Sequence, residues 1–158
     1  MSVARRVLQR GFTLLELLVV LVIAGMIVGL VSFNAAPSEH QAMQNEAQRI
    51  ALLLQLARDE AIVRNRPIAF EVGPEGYRFL VRDEDEWRPI EGDDLLRARR
   101  FSRAPVAFSI DPPIAQQDGR LRIVFGREPV DKPFLLALAV SDLSVSVRAD
   151  GIGHFVVE

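Results

Sequence analysis

Hydrophobic and polar residues divide the chain into three stretches, of which the first is an unbroken apolar run. Residues 12–33 contain a single ionisable side chain, Glu16. At a rise of about 1.5 Å per residue, a helix of this length spans roughly 33 Å, more than the roughly 30 Å hydrocarbon core of a bilayer. An ordinary secretory signal peptide has a shorter apolar region followed by a clear cleavage pattern, which this sequence lacks. The pattern therefore predicts a transmembrane helix over residues 12–36.

The second stretch begins after Pro37, where apolar residues recur at every third or fourth position. This spacing is typical of an amphipathic helix, which we predict over residues 39–65 with Pro67 forcing its end. The pattern lasts only about three heptads, so packing on a globular domain explains it better than a coiled coil does. The predicted apolar stripe consists of Met43, Ala47, Ile50, Leu54, Ala57 and Ala61.

In the third stretch, residues 68–158, the hydrophobic period falls to two, which is typical of β-strands. The continuous apolar run 134–140 is predicted to be a central strand covered on both faces. The predicted fold class is α+β, with a long N-terminal helix packed on antiparallel sheets, and residues 37–158 form one globular domain. Strands are predicted at 68–72, 77–81, 106–110, 121–125, 134–140, 143–148 and 154–157, with hairpins at both ends of this series.

A basic leader precedes the apolar run. Residues 1–11 end in Gly11, after which the chain reads Phe-Thr-Leu-Leu-Glu. This motif, in front of a long apolar helix, resembles the class III signal of type IV pilins and type II secretion pseudopilins. The resemblance implies that a prepilin peptidase removes residues 1–11 by cutting after Gly11, that Phe12 is then N-methylated, and that Glu16 is the family's fifth-position glutamate.

Glu16 is a functional candidate because an unpaired carboxylate in apolar surroundings is costly. Its own helix offers no partner, since the next basic residue of the mature chain is Arg49. Cleavage creates a cationic amine at Phe12. The family resemblance implies that the Phe12 amine of a neighbouring subunit pairs with Glu16 and so supports assembly.

The junction between the second helix and the first strand, LLLQLARDEAIVRNRPI, resembles the H-type pseudopilin of type II secretion and FimT-like minor pilins, the GspH/FimT-like family. The resemblance implies a minor pseudopilin, a structural subunit of the periplasmic pseudopilus that supports export of folded proteins and is not an enzyme. The alternative is a FimT-like minor pilin acting in type IV pilus assembly or DNA uptake. The implied partners are other pseudopilins, major and minor, the prepilin peptidase and the inner membrane.

Charge changes this picture in two ways. The chain has a formal net charge of −2, with 19 basic and 21 acidic residues. Removal of the leader takes away Arg5, Arg6 and Arg10 and leaves −5, which disfavours a general electrostatic attraction to nucleic acid. The positive-inside rule keeps the leader in the cytoplasm. We therefore expect a single-pass protein of the bacterial inner membrane with its C-terminal domain in the periplasm.

Two charged clusters and two histidines are the remaining candidates for chemistry. The acidic run 83–86 has oxygen ligands suited to calcium but lacks the glycine and closing glutamate of an EF-hand, so a solvated loop is the default interpretation. His40 and His154 lie in unrelated elements, without a cysteine or a HExxH-like partner. The chain has no cysteine. We predict no cofactor and no metal site.

A basic patch with one aromatic residue follows the acidic run. Such a patch could hold single-stranded nucleic acid, by stacking on Phe101 and by contacts with phosphates. We expect the acidic run to neutralise it, so nucleic acid is not an expected partner. The patch consists of Arg97, Arg99, Arg100 and Arg103.

Overall fold

The computed structural model describes residues 13–33 and 38–158, with side chains in the first helix described as far as Ile27. The chain forms two compact units, one ending at Ser38 and the other beginning at Glu39. The first contains helix α1 (Leu14–Phe33), and the second contains helix α2 (Glu39–Val63) and the strands. Among the residues with described side chains, no helix is long and apolar enough to cross a membrane. The predicted leader, Phe12 and residues 34–37 lie outside the described part.

The α2 helix is amphipathic, as its periodicity predicts. Three buried alanines on its inner face, Ala47, Ala57 and Ala61, have no exposed surface and let the backbone approach the sheets closely. Charged residues such as Arg49 and Glu60 lie outside the buried face. The complete set of buried residues on this helix is Ala47, Ile50, Ala51, Leu53, Leu54, Ala57, Arg58 and Ala61.

The α2 helix ends two residues earlier than predicted, at a capping motif. Asn65 adopts a left-handed conformation with φ of 54°. Its N–H donates to the carbonyl of Ile62 at 3.2 Å, and the N–H of Arg66 donates to that of Ala61 at 3.1 Å. This pair of bonds is a Schellman motif with Asn65 at its left-handed position. Pro67 therefore follows a helix that has already ended and does not itself force the end.

Six strands form the first sheet. Its order is β3-β2-β1-β7-β6, and β4 pairs with the start of β2. The first predicted hairpin is confirmed, with Phe70 opposite Phe79. The periodicity did not reveal β3, β4 or β6, which are short or charged. The strands are β1 (Ile68–Gly73), β2 (Gly76–Asp83), β3 (Glu86–Pro89), β4 (Arg99–Arg100), β6 (Gln116–Gln117) and β7 (Arg120–Phe125).

The second sheet has four antiparallel strands in the order β10-β9-β8-β5. The predicted final hairpin is confirmed, with Val156 opposite Arg148. An Asx turn closes it, because the carboxylate of Asp150 accepts the backbone N–H groups of Ile152, Gly153 and His154 at 2.8 to 3.1 Å. The strands are β5 (Ala107–Asp111), β8 (Phe134–Val140), β9 (Leu143–Ala149) and β10 (Phe155–Val157).

The prediction that the run 134–140 is covered on both faces is wrong. In β8 only Leu136 and Leu138 are buried, while the residues of the other face are half-buried. Every residue of β1 is buried instead. The physical reason is that α2 covers only one face of the second sheet, whereas the first sheet carries a second covering on its outer face.

This outer covering consists of an indole ring and arginine side chains. Trp87 lies with its ring centroid 6.0 Å from the guanidinium carbon of Arg82 in β2 and 5.7 Å from that of Arg122 in β7. These two strands flank β1, so the indole extends over β1 from the sheet edge. Ala69 of β1 is completely buried although it is outside the main core, and its neighbour Leu80 in β2 is also buried.

Glu71 is a buried charge in β1, with a side chain only 3% exposed. Arg78 approaches its carboxylate at 2.6 Å from one side and Arg122 at 2.6 Å from the other. Burial raises the pKa of Glu71, but the hydrogen bonds and positive charges of Arg122 and Arg78 outweigh burial and hold the pKa below its usual value. The carboxylate is therefore ionised in the folded protein at neutral pH.

Arg58 is the buried charge of α2, and it holds two loops against the helix. Its guanidinium donates to the carbonyl of Pro129 and lies 3.6 Å from the carboxylate of Asp131. It also lies beneath Gly153 in the last hairpin, where an added Cβ would be 2.6 Å from Nη1. Burial raises the pKa of Asp131 above its usual value, although the charge of Arg58 opposes this effect.

We expect Gly153→Ala to destabilise the domain by about 3 kcal/mol, because φ is 114° and the new methyl group would displace the Arg58 guanidinium. The control is Gly119→Ala, where φ is 67° and an added Cβ meets open space. Its expected loss is about 1 kcal/mol, from backbone strain alone. Urea unfolding followed by circular dichroism measures both variants. Equal losses would contradict a role for Gly153 in seating Arg58.

We expect Glu71→Gln to lower the free energy of unfolding at pH 7 by about 3 kcal/mol, since it leaves guanidinium groups without their carboxylate. The lowered pKa of Glu71 stabilises the fold above about pH 4.3, its unfolded value, and this contribution disappears as the pH falls through the folded value. The variant should therefore lose less stability on acidification than the unmodified protein. Urea unfolding at several pH values tests this, with Glu158→Gln as an exposed control.

Candidate assembly site

The N-terminal end of α1 is closed by a threonine cap. The hydroxyl of Thr13 accepts the backbone N–H of Glu16 at 3.3 Å, and the carbonyl of Thr13 accepts that of Leu17 at 3.2 Å. Thr13 is thus the N-cap and Glu16 the third helical residue, the spacing of a capping box. Thr13 belongs to the motif that carries the family resemblance, but its capping role was not predicted. The signal that reveals it is the Thr-x-x-Glu pattern directly before the apolar run.

The cap places Glu16 in the first turn of the helix, where the helix dipole favours a negative charge. Around it, the large apolar side chains of α1 as far as Ile27 are exposed, from 45% for Val19 to 85% for Leu14. An apolar surface of this extent calls for lipid or other apolar helices. Gly11 and Phe12, the predicted processing residues, lie outside the described residues, so their roles stay predictions.

A groove of about 70 Å³ lies at the start of α2, bounded by the 101–106 segment and by the turn between β8 and β9. Glu39 and Arg103 pair at its rim. Glu46 accepts a hydrogen bond from the buried hydroxyl of Tyr77 at 3.0 Å. Burial, and then the charge of Glu46, raise the pKa of Tyr77 far above its usual value, so the hydroxyl stays a donor. The apolar lining comprises Met43, Phe101, Val106, Leu138, Val140 and Leu143.

The four arginines of the predicted nucleic-acid patch differ in their surroundings. Arg99 is half-buried in β4 and donates to the carbonyl of Asp94 at 3.2 Å. Arg103 pairs with Glu39 of α2. Arg97 and Arg100 are exposed. Two of the four guanidinium groups are thus engaged within the domain.

The prediction that the acidic run neutralises this patch is wrong, because the run turns back on itself between β2 and β3. Asp83 contacts Arg88 at 2.9 Å and also pairs with Arg66. Asp85 contacts Arg82 at 3.3 Å. The acidic run is therefore a salt-bridged hairpin turn, and its partners are arginines other than those of the patch.

The two histidines lie in separate elements, His40 in α2 and His154 beside the last hairpin turn. The His154 ring Nδ1 is 2.6 Å from the carboxylate of Asp150. Desolvation raises the pKa of Asp150, but hydrogen bonds from Ile152 and His154 prevail and lower it to about 2. Within the described part of the chain, no three histidine, cysteine or acidic residues are placed to hold a metal ion.

Two family models match the chain. The model described as type II transport protein GspH matches residues 46–151. The model described as prokaryotic N-terminal methylation motif matches residues 6–32. The first match covers most of the domain formed by α2 and the two sheets, and the second covers residues 6–11 of the predicted leader, the cap and most of α1.

Curated relatives carry the same family description. Type II secretion system protein H of Pseudomonas aeruginosa is 31% identical over 139 residues, which cover 86% of this chain and 79% of that protein. The protein of the same name from Escherichia coli is 23% identical over 137 residues, which cover 83% of this chain and 81% of that protein.

Solved structures share the fold. The minor pseudopilin EpsH from the type II secretion system of Vibrio cholerae superposes with a TM-score of 0.60 at 16% identity, covering 77% of this chain and 98% of that one. The type IV minor pilin FimU of Pseudomonas aeruginosa superposes with a TM-score of 0.52 at 17% identity, covering 73% of this chain and 87% of that one. Both likenesses confirm the predicted pilin-like α+β fold. From the match over residues 46–151 and the 31% identity to a protein H, this chain belongs to the GspH family of type II transport proteins and is a minor pseudopilin of the H type.

Proposed function

We propose that this protein is a structural subunit of the periplasmic pseudopilus of the type II secretion system, where it supports the export of folded proteins. The observation that carries the proposal is that one chain joins an N-terminal methylation motif at residues 6–32 to a GspH domain at 46–151. The function is assembly and not catalysis. Its partners are other pseudopilins, major and minor, and the prepilin peptidase that prepares the subunit.

The peptidase cuts after Gly11 and methylates Phe12 in this proposal. The apolar run of residues 12–36 anchors the precursor in the inner membrane, with the leader in the cytoplasm and residues 37–158 in the periplasm. Two features support this arrangement: the basic leader and the exposed apolar side chains of α1.

Within the assembled pseudopilus, we propose that Glu16 pairs with the terminal amine of Phe12 from an adjacent subunit. The Thr13 cap supports this pairing, because it orders the first turn that carries Glu16. The precursor lacks the free amine at Phe12, so cleavage is a condition for assembly.

The alternative is a FimT-like minor pilin that captures DNA. The likeness to FimU, with a TM-score of 0.52, is the observation in its favour. Against it, Arg99 and Arg103 of the candidate patch are occupied by Asp94 and Glu39. The structural role in secretion is therefore the better supported of the two.

We expect Gly11→Leu to leave an uncleaved, membrane-retained precursor, because a bulky side chain at the cut site obstructs the peptidase. Intact mass of the extracted protein measures processing. The expected mass of the unmodified chain is that of a species beginning with methylated Phe12. A Gly11→Leu variant with that same mass would show that the cleavage site has been misassigned.

We expect Glu16→Ala to be cleaved and inserted normally but to enter the pseudopilus at least about tenfold less well, because the Phe12 amine of the neighbour is left without a partner in apolar surroundings. Glu16→Asp should retain part of the function. Cross-linking through an introduced cysteine in α1, together with a secretion assay, measures incorporation. Unchanged cross-linking and secretion by Glu16→Ala would refute the charge pairing.

A further inference from the structure

One point on the outer face of the six-stranded sheet carries more positive than negative charge. Arg78, Arg120 and Arg122 converge on Glu71, with guanidinium nitrogens 2.6, 3.7 and 2.6 Å from its carboxylate oxygens. We call these three arginines, with Glu71, the arginine cluster. One carboxylate balances one guanidinium, so among the described residues the cluster retains two positive charges without a carboxylate of their own.

The cluster is partly open to solvent and already ordered. The side chain of Arg78 is 40% exposed and that of Arg120 is 44% exposed. Arg120 lies along the backbone at Gly73, where an added Cβ would be 3.4 Å from its Cγ. Arg122 is held between Glu71 and the ring of Trp87. Because the guanidinium groups are held before a partner arrives, binding costs less conformational entropy.

The next outward-facing arginine of β2 differs from the cluster because its charge is matched. Arg82 pairs with Asp85 at 3.3 Å. The cluster, by contrast, has three guanidinium groups around one carboxylate. It also stands out from the chain as a whole, whose formal net charge is negative.

We propose that the arginine cluster docks an acidic segment of a neighbouring protein subunit, an inference that rests on the proposed function, in which subunits pack side by side. Guanidinium groups bind carboxylates through paired hydrogen bonds in a fixed geometry, so two uncompensated arginines suit two carboxylates. Trp87, half-buried beside the cluster, supplies an apolar contact surface for the same segment.

A nucleic acid fits this face less well. Its affinity depends on the number of phosphates that a protein neutralises, and two charges on a net-negative chain neutralise few. A protein segment needs only two carboxylates at the right spacing. Nucleic acid binding is nevertheless a measurable outcome, and it separates the two classes of partner.

The first test measures binding in solution with the full chain in detergent. The probes are a short dye-labelled peptide of alternating glutamate and serine and a single-stranded oligodeoxynucleotide of the same net charge. We expect Arg120→Gln to raise the Kd for the peptide about fivefold, as loss of a partly exposed charge pair does. Arg148→Gln removes an equal charge from the second sheet, where Arg148 is paired with Glu158, and should leave the Kd unchanged. Equal effects of the two substitutions, or tighter binding of the oligodeoxynucleotide, would overturn the proposal.

The second test uses cross-linking in cells, made simple by the absence of natural cysteines. Val124→Cys places a thiol on the exposed outer face beside the cluster, and Leu21→Cys places one on α1. We expect both to cross-link to neighbouring subunits, and Arg120→Gln to reduce only the Val124→Cys product, again about fivefold. No product from Leu21→Cys would refute the proposed function. A product from Leu21→Cys with none from Val124→Cys would refute the docking face alone.

Discussion

Burial of one face of α2 against two separate sheets is the interaction on which the rest of the domain depends. The helix contacts β1 and β7 of the first sheet and β9 and β10 of the second. In the described domain the two sheets share no strand ladder. They are joined through the helix and through side chains such as Phe125 and Phe155, whose ring centroids are 6.1 Å apart. Removing apolar surface from water is the main stabilising term here, and α2 packs on both sheets within one hydrophobic core.

Two buried charges complement this apolar core by specifying where particular segments lie. A buried ion is costly unless its hydrogen bonds are made, so each one strongly favours the single arrangement in which its partners are present. Arg58 finds its partners at Pro129 and Asp131, far along the chain. Glu71 forms an ion pair with Arg122 of the adjacent strand β7. The first interaction positions the loops at one end of the helix, and the second organises the outer face of the sheet.

Assembly in the proposed pseudopilus would therefore use two kinds of surface on one subunit. The exposed apolar side chains of α1 suit contacts with lipid and other apolar helices, where only Glu16 adds a charge. The arginine cluster suits contacts between domains in water, where guanidinium groups add specificity more than raw affinity. Apolar contacts tolerate variation in the partner, whereas paired charges select a partner of the opposite sign.

Much of the fold was predictable from periodicity, because hydrophobic spacing directly reports which side of an element is buried. The spacing of residues 39–65 predicted α2 to within two residues, and the period of two located β1, β2, β5 and β7 to β10. The motif around Gly11 and Glu16 identified the family for a different reason: it is an ordered set of residue types read along the chain itself. The processing roles of Gly11 and Phe12 remain predictions from that motif.

The tertiary structure decided what depends on contacts between distant residues. Asn65 ends α2 because its left-handed conformation completes a capping motif, and spacing does not encode this. The acidic run 83–86 forms salt bridges with Arg66, Arg82 and Arg88, because strand pairing brings these residues close to it. Glu71 is the one charged residue of the predicted strand 68–72, and only the pairing of β1 with β2 and β7 surrounds it with guanidinium groups. Sequence alone determined where most helices and strands lie, whereas tertiary packing determined how completely each is covered and which charges meet.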